Sequence, residues 1–421
     1  MFNRLVFIYF QSYSDMKIVS IWAREILDSR GNPTIEVEVL TEDGFGTAAA
    51  PSGASTGKHE AHELRDGGSR YLGKGVLNAV RNVNTVITPA LLGMDAGDQE
   101  AIDMKLRELD GTKDKSRLGA NALVATSMAV LRAAAASKGQ MLHDYLGGST
   151  IPHGMFNIVN GGMHAGGKLA IQEFMIIPEA ESFAERLRKA SEIYHVLGKR
   201  LVEKYGPSAR NVGDEGGYVP QLDNTYQALD EITAAIDEAA YNGTCAIALD
   251  CAASSFHNDG VYSIDGKQLK EAELIDYYAD LAKTYNIKSI EDPFHEESFS
   301  AFSALVKELP GVQIVGDDLV VTNVTRLRRA MDEKSLTALL LKVNQIGTVS
   351  EAMDAVKLCR QNSINVIVSH RSGETEDCFI SDFAVGINAR QIKSGAPARG
   401  ERTAKYNQLL RIEERMQMQL G

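Results

Sequence analysis

Cysteine is scarce in this chain. Its 421 residues include four, Cys245, Cys251, Cys359 and Cys378, with no CxxC pair and no histidine at ligand spacing. Neither a zinc site nor a disulfide framework is expected from such usage, which suits a reducing cytosol. Long apolar runs are also missing. Leu5 to Phe10, after Arg4, is too short for the core of a secretory signal and lacks a small-residue cleavage site. Ala120 to Ala136 is rich in alanine and contains Asn121 and Arg132, so it reads as a buried helix and not a membrane span. Positive charge is in deficit: 44 Lys and Arg against 56 Asp and Glu leave a net charge of −12. That balance argues against broad affinity for nucleic acid or an anionic membrane, both of which need clustered Lys and Arg. Small anionic substrates stay open, because they respond to the local field. What is present, 44% apolar and 24% charged residues, is the make-up of a globular protein and excludes a disordered or collagen-like chain. The length suits two domains, or a small domain joined to a barrel of about 250 residues.

Met16 is followed at once by an alternating pattern, so residues 1–15 read as an N-terminal extension, disordered or peripheral, or as the product of an alternative start. From Ile35 the run Ile-Glu-Val-Glu-Val-Leu is a half-buried strand, closed by the turn-forming Glu42-Asp43-Gly44. A Gly/Ser-rich loop, Pro51 to Gly57, comes next, and helical patterns then extend to Lys138. Gly147-Gly148-Ser149, with Pro152 soon after, punctuates the chain. The expectation is an α+β N-terminal domain over 16–147 and an α/β unit, a TIM-like β/α barrel, over 148–421.

The barrel is read from short apolar runs that each end in a charged or polar residue and lead into a helical segment. Ala246 to Leu249 ends at Asp250, Lys288 to Ile290 at Glu291, and Val312 to Gly316 at Asp317; Ala338 to Leu341 ends at Lys342, and Val366 to Ser369 at His370. The intervals are 41, 26, 25 and 28 residues, and all but the first match one strand, one helix and two loops. One charged residue after an apolar run is most simply a strand end meeting solvent. Five in succession are hard to explain that way, and in β/α barrels the C-terminal strand ends share the mouth where chemistry occurs.

Asp250, Glu291 and Asp317 would converge as three carboxylates, costing several kcal/mol of repulsion unless a cation sits among them. Oxygen donors without Cys or His suit Mg²⁺; the plainer alternative is a set of caps and salt bridges, a role open to Asp292 and Asp318 as well. Lys342 is a counter-ion, a surface charge, or a general base whose ammonium form a nearby divalent cation disfavours. His370-Arg371-Ser372-Gly373 supplies a planar fork, a hydroxyl and flexible backbone, suited to phosphate or carboxylate, although a capping turn would use Ser372 equally well. Lys393 adds positive charge one strand later. Asn211 to Gly217 sets Asp214 and Glu215 between glycines, where backbone can approach a ligand closely. His164 and Gln172-Glu173 are similar candidates, with satisfied buried polar groups as the alternative. Two lookalikes are set aside. Gly53 to Lys58 is one residue short of a P-loop and is followed by His59 in place of Ser or Thr, and His59-Glu60-Ala61-His62 has its histidines three apart where a zincin helix needs four. The latter reads as a solvated helix start.

Several stretches together resemble the enolase family. They are Asp28-Ser29-Arg30-Gly31-Asn32-Pro33-Thr34, Pro51 to Gly57, Val212 to Gly217, Leu249 to Ala252, Ile290 to Phe294, Leu339 to Thr348, Ser369 to Asp377 and Ile392 to Arg399. The likeness runs from about Lys17 to the C-terminal helix. It implies a barrel whose first strands depart from simple βα order, and a hydratase/dehydratase acting on 2-phosphoglycerate and phosphoenolpyruvate in glycolysis and gluconeogenesis. On this likeness Asp250, Glu291 and Asp317 hold a first Mg²⁺, and Ser55 holds a second that arrives with substrate. Lys342 removes the C2 proton, in keeping with the superfamily's lysine or histidine base beside Mg²⁺. Glu215, supported by Glu173, assists loss of the C3 hydroxyl. Lys393 meets the carboxylate, and His370, Arg371 and Ser372, with Gln172 and His164, hold phosphate and substrate. Arg24, Glu36, Arg411 and Glu414 match positions that pair between subunits, so a homodimer or higher homo-oligomer is expected. Cytoplasmic residence is expected too, with room for a surface or secreted pool lacking a signal peptide. Ser255, where many members have Glu, and a short junction after Leu146 depart from the pattern without touching an assigned residue. Two other readings remain: a superfamily lyase for a different carboxylate, against which the Ser55 loop and the His370-Arg371-Ser372 wall weigh, and a surface-displayed binding protein on the same fold.

Overall fold

The computed structural model describes residues 16–54 and 57–420; the extension 1–15 and the position of Ser55 lie outside the described residues. Strands β1 (Ile18–Leu27), β2 (Pro33–Thr41) and β3 (Phe45–Ala49) form an antiparallel meander. The period-2 pattern decides which face is covered: Ile35, Val37 and Val39 are buried, while Glu36 and Glu38 face Arg24 on β1. The helix Ala120–Ser137 lies against this sheet. Small residues on both partners permit the approach, for a Cβ at Gly46 would stand 2.2 Å from the carbonyl oxygen of Ala129. Among the described residues this helix alone has the length and hydropathy to cross a bilayer, and 83% of that stretch is buried within the protein.

The segment around His59 corrects the helix-start reading. Residues 61–66 carry no helix, because their backbone groups are committed to distant partners. Ala61 N donates to Gln345 O (2.8 Å), His62 N to Asp114 O (2.7 Å) and Leu64 N to Asn121 Oδ1 (3.1 Å). A helix would need those donors for its own ladder.

The larger unit is a closed barrel. After β4 (His153–Asn160), β5 (Glu173–Pro178) and β6 (Cys245–Asp250) comes a small sheet of β7 (His257–Asn258), β8 (Val261–Ile264) and β9 (Lys267–Leu269). This insertion accounts for the long 41-residue interval between Asp250 and Glu291. Then follow β10 (Ile287–Glu291), β11 (Gln313–Gly316), β12 (Ala338–Leu341), β13 (Asn365–Ser369) and β14 (Gln391–Lys393), each separated from the next by helix. The order round the barrel is β10-β11-β12-β13-β14-β4-β5-β6. All neighbours are parallel except β5, which runs against both β4 and β6. Two helices, Phe183–Tyr205 and Thr225–Glu238, return the chain from β5 to β6.

Met155, Met175, Ile177, Ala248, Val315, Ala338, Leu340 and Ile367 fill the barrel as a packed plug. The N-terminal sheet and helices sit over the mouth. Ser52 and Gly373 exchange backbone hydrogen bonds (2.9 and 2.8 Å), Arg132 pairs with Asp377 at 2.7 Å, and Lys115 with Glu351 at 2.8 Å.

Candidate active site

The mouth gathers a polar cavity of about 460 Å³ lined by His164, Gln172, Glu173, Glu215, Asp250, Asp317, Lys342, His370, Arg371, Ser372 and Lys393, among others. Register explains the convergence. Asp250 and Glu291 are direct neighbours at the ends of β6 and β10; Asp317, Lys342 and His370 immediately follow β11, β12 and β13; Lys393 ends β14. Glu173 begins β5, and because that strand is reversed its first residue lies at the mouth, opposite Asp250.

One wall is acidic. Lys393 Nζ donates to Asp250 (2.8 Å) and Glu291 (3.0 Å) and stands 3.3 Å from Glu173, while Lys342 Nζ donates to Asp317 at 2.5 Å. Burial pushes the Glu291 carboxyl well up, and Asp250 beside it adds to the shift, with Lys393 and Lys342 opposing. Asp317 is also buried, yet Lys342 holds its carboxyl below the ordinary value. The lysines respond in kind: burial would lower both, but their carboxylate partners outweigh it and raise them. Asp292 behaves as a brace, its oxygens accepting the N–H of Asp317 (2.9 Å) and Asp318 (2.7 Å). Asp318, mainly by burial and then by Asp317, is pushed up to about 8. Ligand atoms of Asp292, Asp317 and Asp318 come within 4.8 Å of one another, as do those of His164, Glu173 and Glu215. An all-oxygen wall too acidic for its own lysines fits a hard divalent cation such as Mg²⁺, which accepts carboxylates and waters.

Beside this wall Glu173 and Glu215 form a buried pair with opposite tendencies. Burial, reinforced by Glu215, drives the Glu173 carboxyl well up. Burial would do the same to Glu215, but His164, His370 and Arg402 draw it well down, and Asn157 Nδ2 donates to it at 3.0 Å. His370 itself is held neutral by burial, so the arginine is the firm positive charge here. These opposite tendencies favour a shared proton on Glu173 over Glu215. His164 Nδ1 lies 3.6 Å and His370 Nε2 3.8 Å from Glu215, and neither nitrogen has a hydrogen-bond partner. Gln172 Oε1 is likewise unmatched. Such buried unpaired atoms in one cavity mark where a polar ligand would complete the set. The loop carrying Glu215 turns at Gly216 with φ +86°, a conformation glycine adopts freely.

The remaining wall is cationic. Arg371 donates to both oxygens of Glu60 (2.9 and 3.1 Å) and to Asn344 Oδ1 (3.1 Å); the Ser372 hydroxyl accepts from Ala54 N at 3.2 Å. Arg402, wholly buried on the helix Gly400–Leu420, donates to His370 Nδ1 (2.6 Å) and to the carbonyls of Arg371, Ser372 and Asp214. It thus fixes the His370 ring and ties the loop after β13 to the helix-to-helix connection that carries Asp214.

Every described residue given a catalytic, substrate or metal role from the sequence lines this cavity, save Glu291, which pairs with Lys393; Asp214, the neighbour of Glu215, does not line it. Arg402 and Glu60 escaped sequence reasoning. A lone arginine two residues inside a helix carries no signal, and Glu60 was read within a solvated helix start. A useful clue was an acidic residue just after a Gly/Ser-rich loop, where loop backbone donors need an acceptor.

Comparison with known proteins follows from this geometry. Residues 148–420 match the family described as enolase, C-terminal TIM barrel domain, and residues 18–146 match the enolase N-terminal domain. A protein named enolase from Methanosarcina barkeri is 58% identical over 410 residues, covering 96% of each chain. An enolase from Methanocaldococcus jannaschii is 57% identical, covering 95% of this chain and 96% of its own. One from Pyrococcus furiosus is 56% identical over 95% of both.

Proposed function

The chain belongs to the enolase family, and on that premise we propose that this lyase requires Mg²⁺ and interconverts 2-phosphoglycerate and phosphoenolpyruvate by removing the C2 proton and then the C3 hydroxyl. The observation that carries the reading is the placing of Lys342 between an acidic wall of Asp250, Glu291 and Asp317 and a wall of hydrogen-bonding groups, His370, Arg371 and Ser372, in which Arg371 carries the positive charge. A phosphorylated carboxylic acid presents the complementary pair of groups.

A proton next to an ionised carboxylate is hardly acidic, since its removal puts a second negative charge on the same group. Asp250, Glu291 and Asp317 would hold one Mg²⁺ and Ser55 a second, and together these ions would supply the positive charge that offsets the negative charge developing on the substrate carboxylate. Lys342, relieved of Asp317, gains a basic form and takes the C2 proton. Lys393 faces the carboxylate end of the substrate. Arg371, Ser372 and His370 hold the phosphate, with Gln172 and His164 filling the side of the cavity where their unpaired atoms point. The proton on Glu173 is passed through Glu215 to the departing C3 hydroxyl, so the two carboxyls act as one acid. Burial of the site under the N-terminal unit excludes water from the reacting carbon.

A division at residue 147 between an α+β unit and the barrel, a homodimer, and cytoplasmic residence complete the reading. Exposed Trp22 on β1, beside the Arg24, Glu36 and Glu38 cluster, supports the dimer. The deciding assay follows the ultraviolet absorbance of phosphoenolpyruvate formed from 2-phosphoglycerate. Turnover is expected with Mg²⁺, its loss on chelation, and its return when Mg²⁺ is restored. Folded protein that shows no turnover with Mg²⁺ overturns the assignment.

A further inference from the structure

Glu60 sits where three parts of the mouth meet. Its side chain is 6% exposed and that of Arg371 3%. Oε1 accepts from the backbone N–H of Gly57 (2.9 Å), from Arg371 Nη2 (3.1 Å) and from Gln345 Nε2 (3.4 Å); Oε2 accepts from Arg371 Nη1 (2.9 Å). The same Gln345 nitrogen donates to Asp317 Oδ1 at 2.8 Å, and Gln345 Oε1 accepts from Thr322 Oγ1 at 3.0 Å. One carboxylate therefore joins the end of the Gly/Ser-rich loop, the arginine of the cationic wall and, through Gln345, a carboxylate of the acidic wall.

The geometry is more specific than a bond between domains. A guanidinium is a planar fork, and a carboxylate paired to both of its terminal nitrogens fixes the plane and the direction of its remaining edge. Asn344 Oδ1 adds a second restraint on Nη1. Burial would weaken the arginine's charge, and Glu60 is the leading partner that preserves it.

We propose that Glu60 is a positioning residue, whose carboxylate holds the Arg371 fork in the orientation that receives the substrate phosphate and sets the Gly57 end of the loop to the same position. This rests on the reading of Arg371 as a phosphate ligand. A carboxylate next to an anion site would ordinarily repel the anion, yet here removing the negative charge of Glu60 should weaken phosphate binding.

The test titrates inorganic phosphate into the full chain with Mg²⁺ by calorimetry, and pairs that with steady-state kinetics on 2-phosphoglycerate. In Glu60→Gln, which keeps the shape and the acceptor for Gly57 N, phosphate Kd and substrate KM should each rise about tenfold while kcat changes less than about threefold. Glu60→Asp should fall between this variant and wild type. On an Arg371→Lys background, where no fork remains to orient, Glu60→Gln should have little further effect. Unchanged phosphate affinity in folded Glu60→Gln overturns the proposal. So does tighter binding, which would make Glu60 a competitor of phosphate, and so does an equal loss on the Arg371→Lys background. Wild-type protein that binds phosphate but lacks turnover would sink the proposed reaction and leave the titration to decide Glu60; wild-type protein that binds no phosphate sinks the positioning role.

Discussion

The two ends of the barrel are built from the same strands and could hardly differ more. At the foot an open cup of about 1460 Å³ is lined by His153, Lys288, Gln313, Asn365, Arg390 and Gln391, among others. Two of its amides are partnered: Asn365 Nδ2 donates to Gln313 Oε1 and Gln313 Nε2 to Ser289 Oγ, both at 3.1 Å. At the mouth Asp250, Glu291, Asp317, Lys342 and Lys393 are charged groups in contact, all shielded from solvent. Polar groups in an open cup cost the fold little, whereas buried carboxylates in excess of the lysines that pair with them raise each other's energy. The plug of eight apolar side chains keeps these regimes apart. Strand geometry is therefore indifferent to function. What separates a reactive end from an inert one is how much uncompensated charge the strand ends bury.

This contrast can be broken most severely at Lys342. Lys342→Ala should reduce exchange of the C2 hydrogen with solvent deuterium by about 10²–10⁴-fold, read by NMR, while Mg²⁺ binding persists; retained exchange would place the base elsewhere. Next in size is a mouth-side charge that serves stability. Asp377 is largely shielded, its side chain 12% exposed; desolvation would raise its carboxyl, but Arg132 holds it below the ordinary value, and Ala49 N also donates to it at 2.8 Å. A depressed carboxyl stabilises above its unfolded pKa, about 3.9, and loses that contribution as pH falls through the folded value. Asp377→Asn should then cost about 3 kcal/mol at pH 7 in denaturant melts, with the gap from wild type closing below about pH 4. A gap that is independent of pH would show that shape, not charge, is lost. A smaller effect is expected at Ala252, two residues past Asp250 and in the left-handed region at φ 42°. Ala252→Gly should stabilise by up to about 1 kcal/mol. The smallest belongs to the foot. Gln391 Oε1 is buried without a partner, so Gln391→Leu should leave turnover within about twofold and stability unchanged or raised by about 1 kcal/mol. A tenfold loss of turnover there would erase the division between the ends.

Sequence pattern alone located the strand-end groups, because a charged residue closing an apolar run is a local feature, and Asp250, Glu291, Asp317, Lys342 and His370 each have it. Strand polarity is not local. Glu173 starts its strand instead of ending it, so only the antiparallel pairing of β5 with β6 explains why it reaches the same mouth. Glu60 and Arg402 show a further limit. Both belong to stretches that look solvated, and each is buried by something distant in sequence, Glu60 by Arg371 and Arg402 by the carbonyls of Asp214 and Ser372. Long-range partners of that kind leave no periodicity to read.

Reversal of β5 also determines where novelty can enter the site. Because the chain leaves β5 at the foot and climbs back through Phe183–Tyr205, the stretch bearing Glu215 connects two helices at the mouth, whereas most of the other reactive groups are anchored at strand ends. Lengthening or exchanging a helix-to-helix connection does not disturb the hydrogen-bond registry of a closed sheet. Relatives with this architecture can therefore replace Glu215 while keeping Asp250, Glu291, Asp317 and Lys342 unaltered, and divergence in this site should concentrate in residues 206–224.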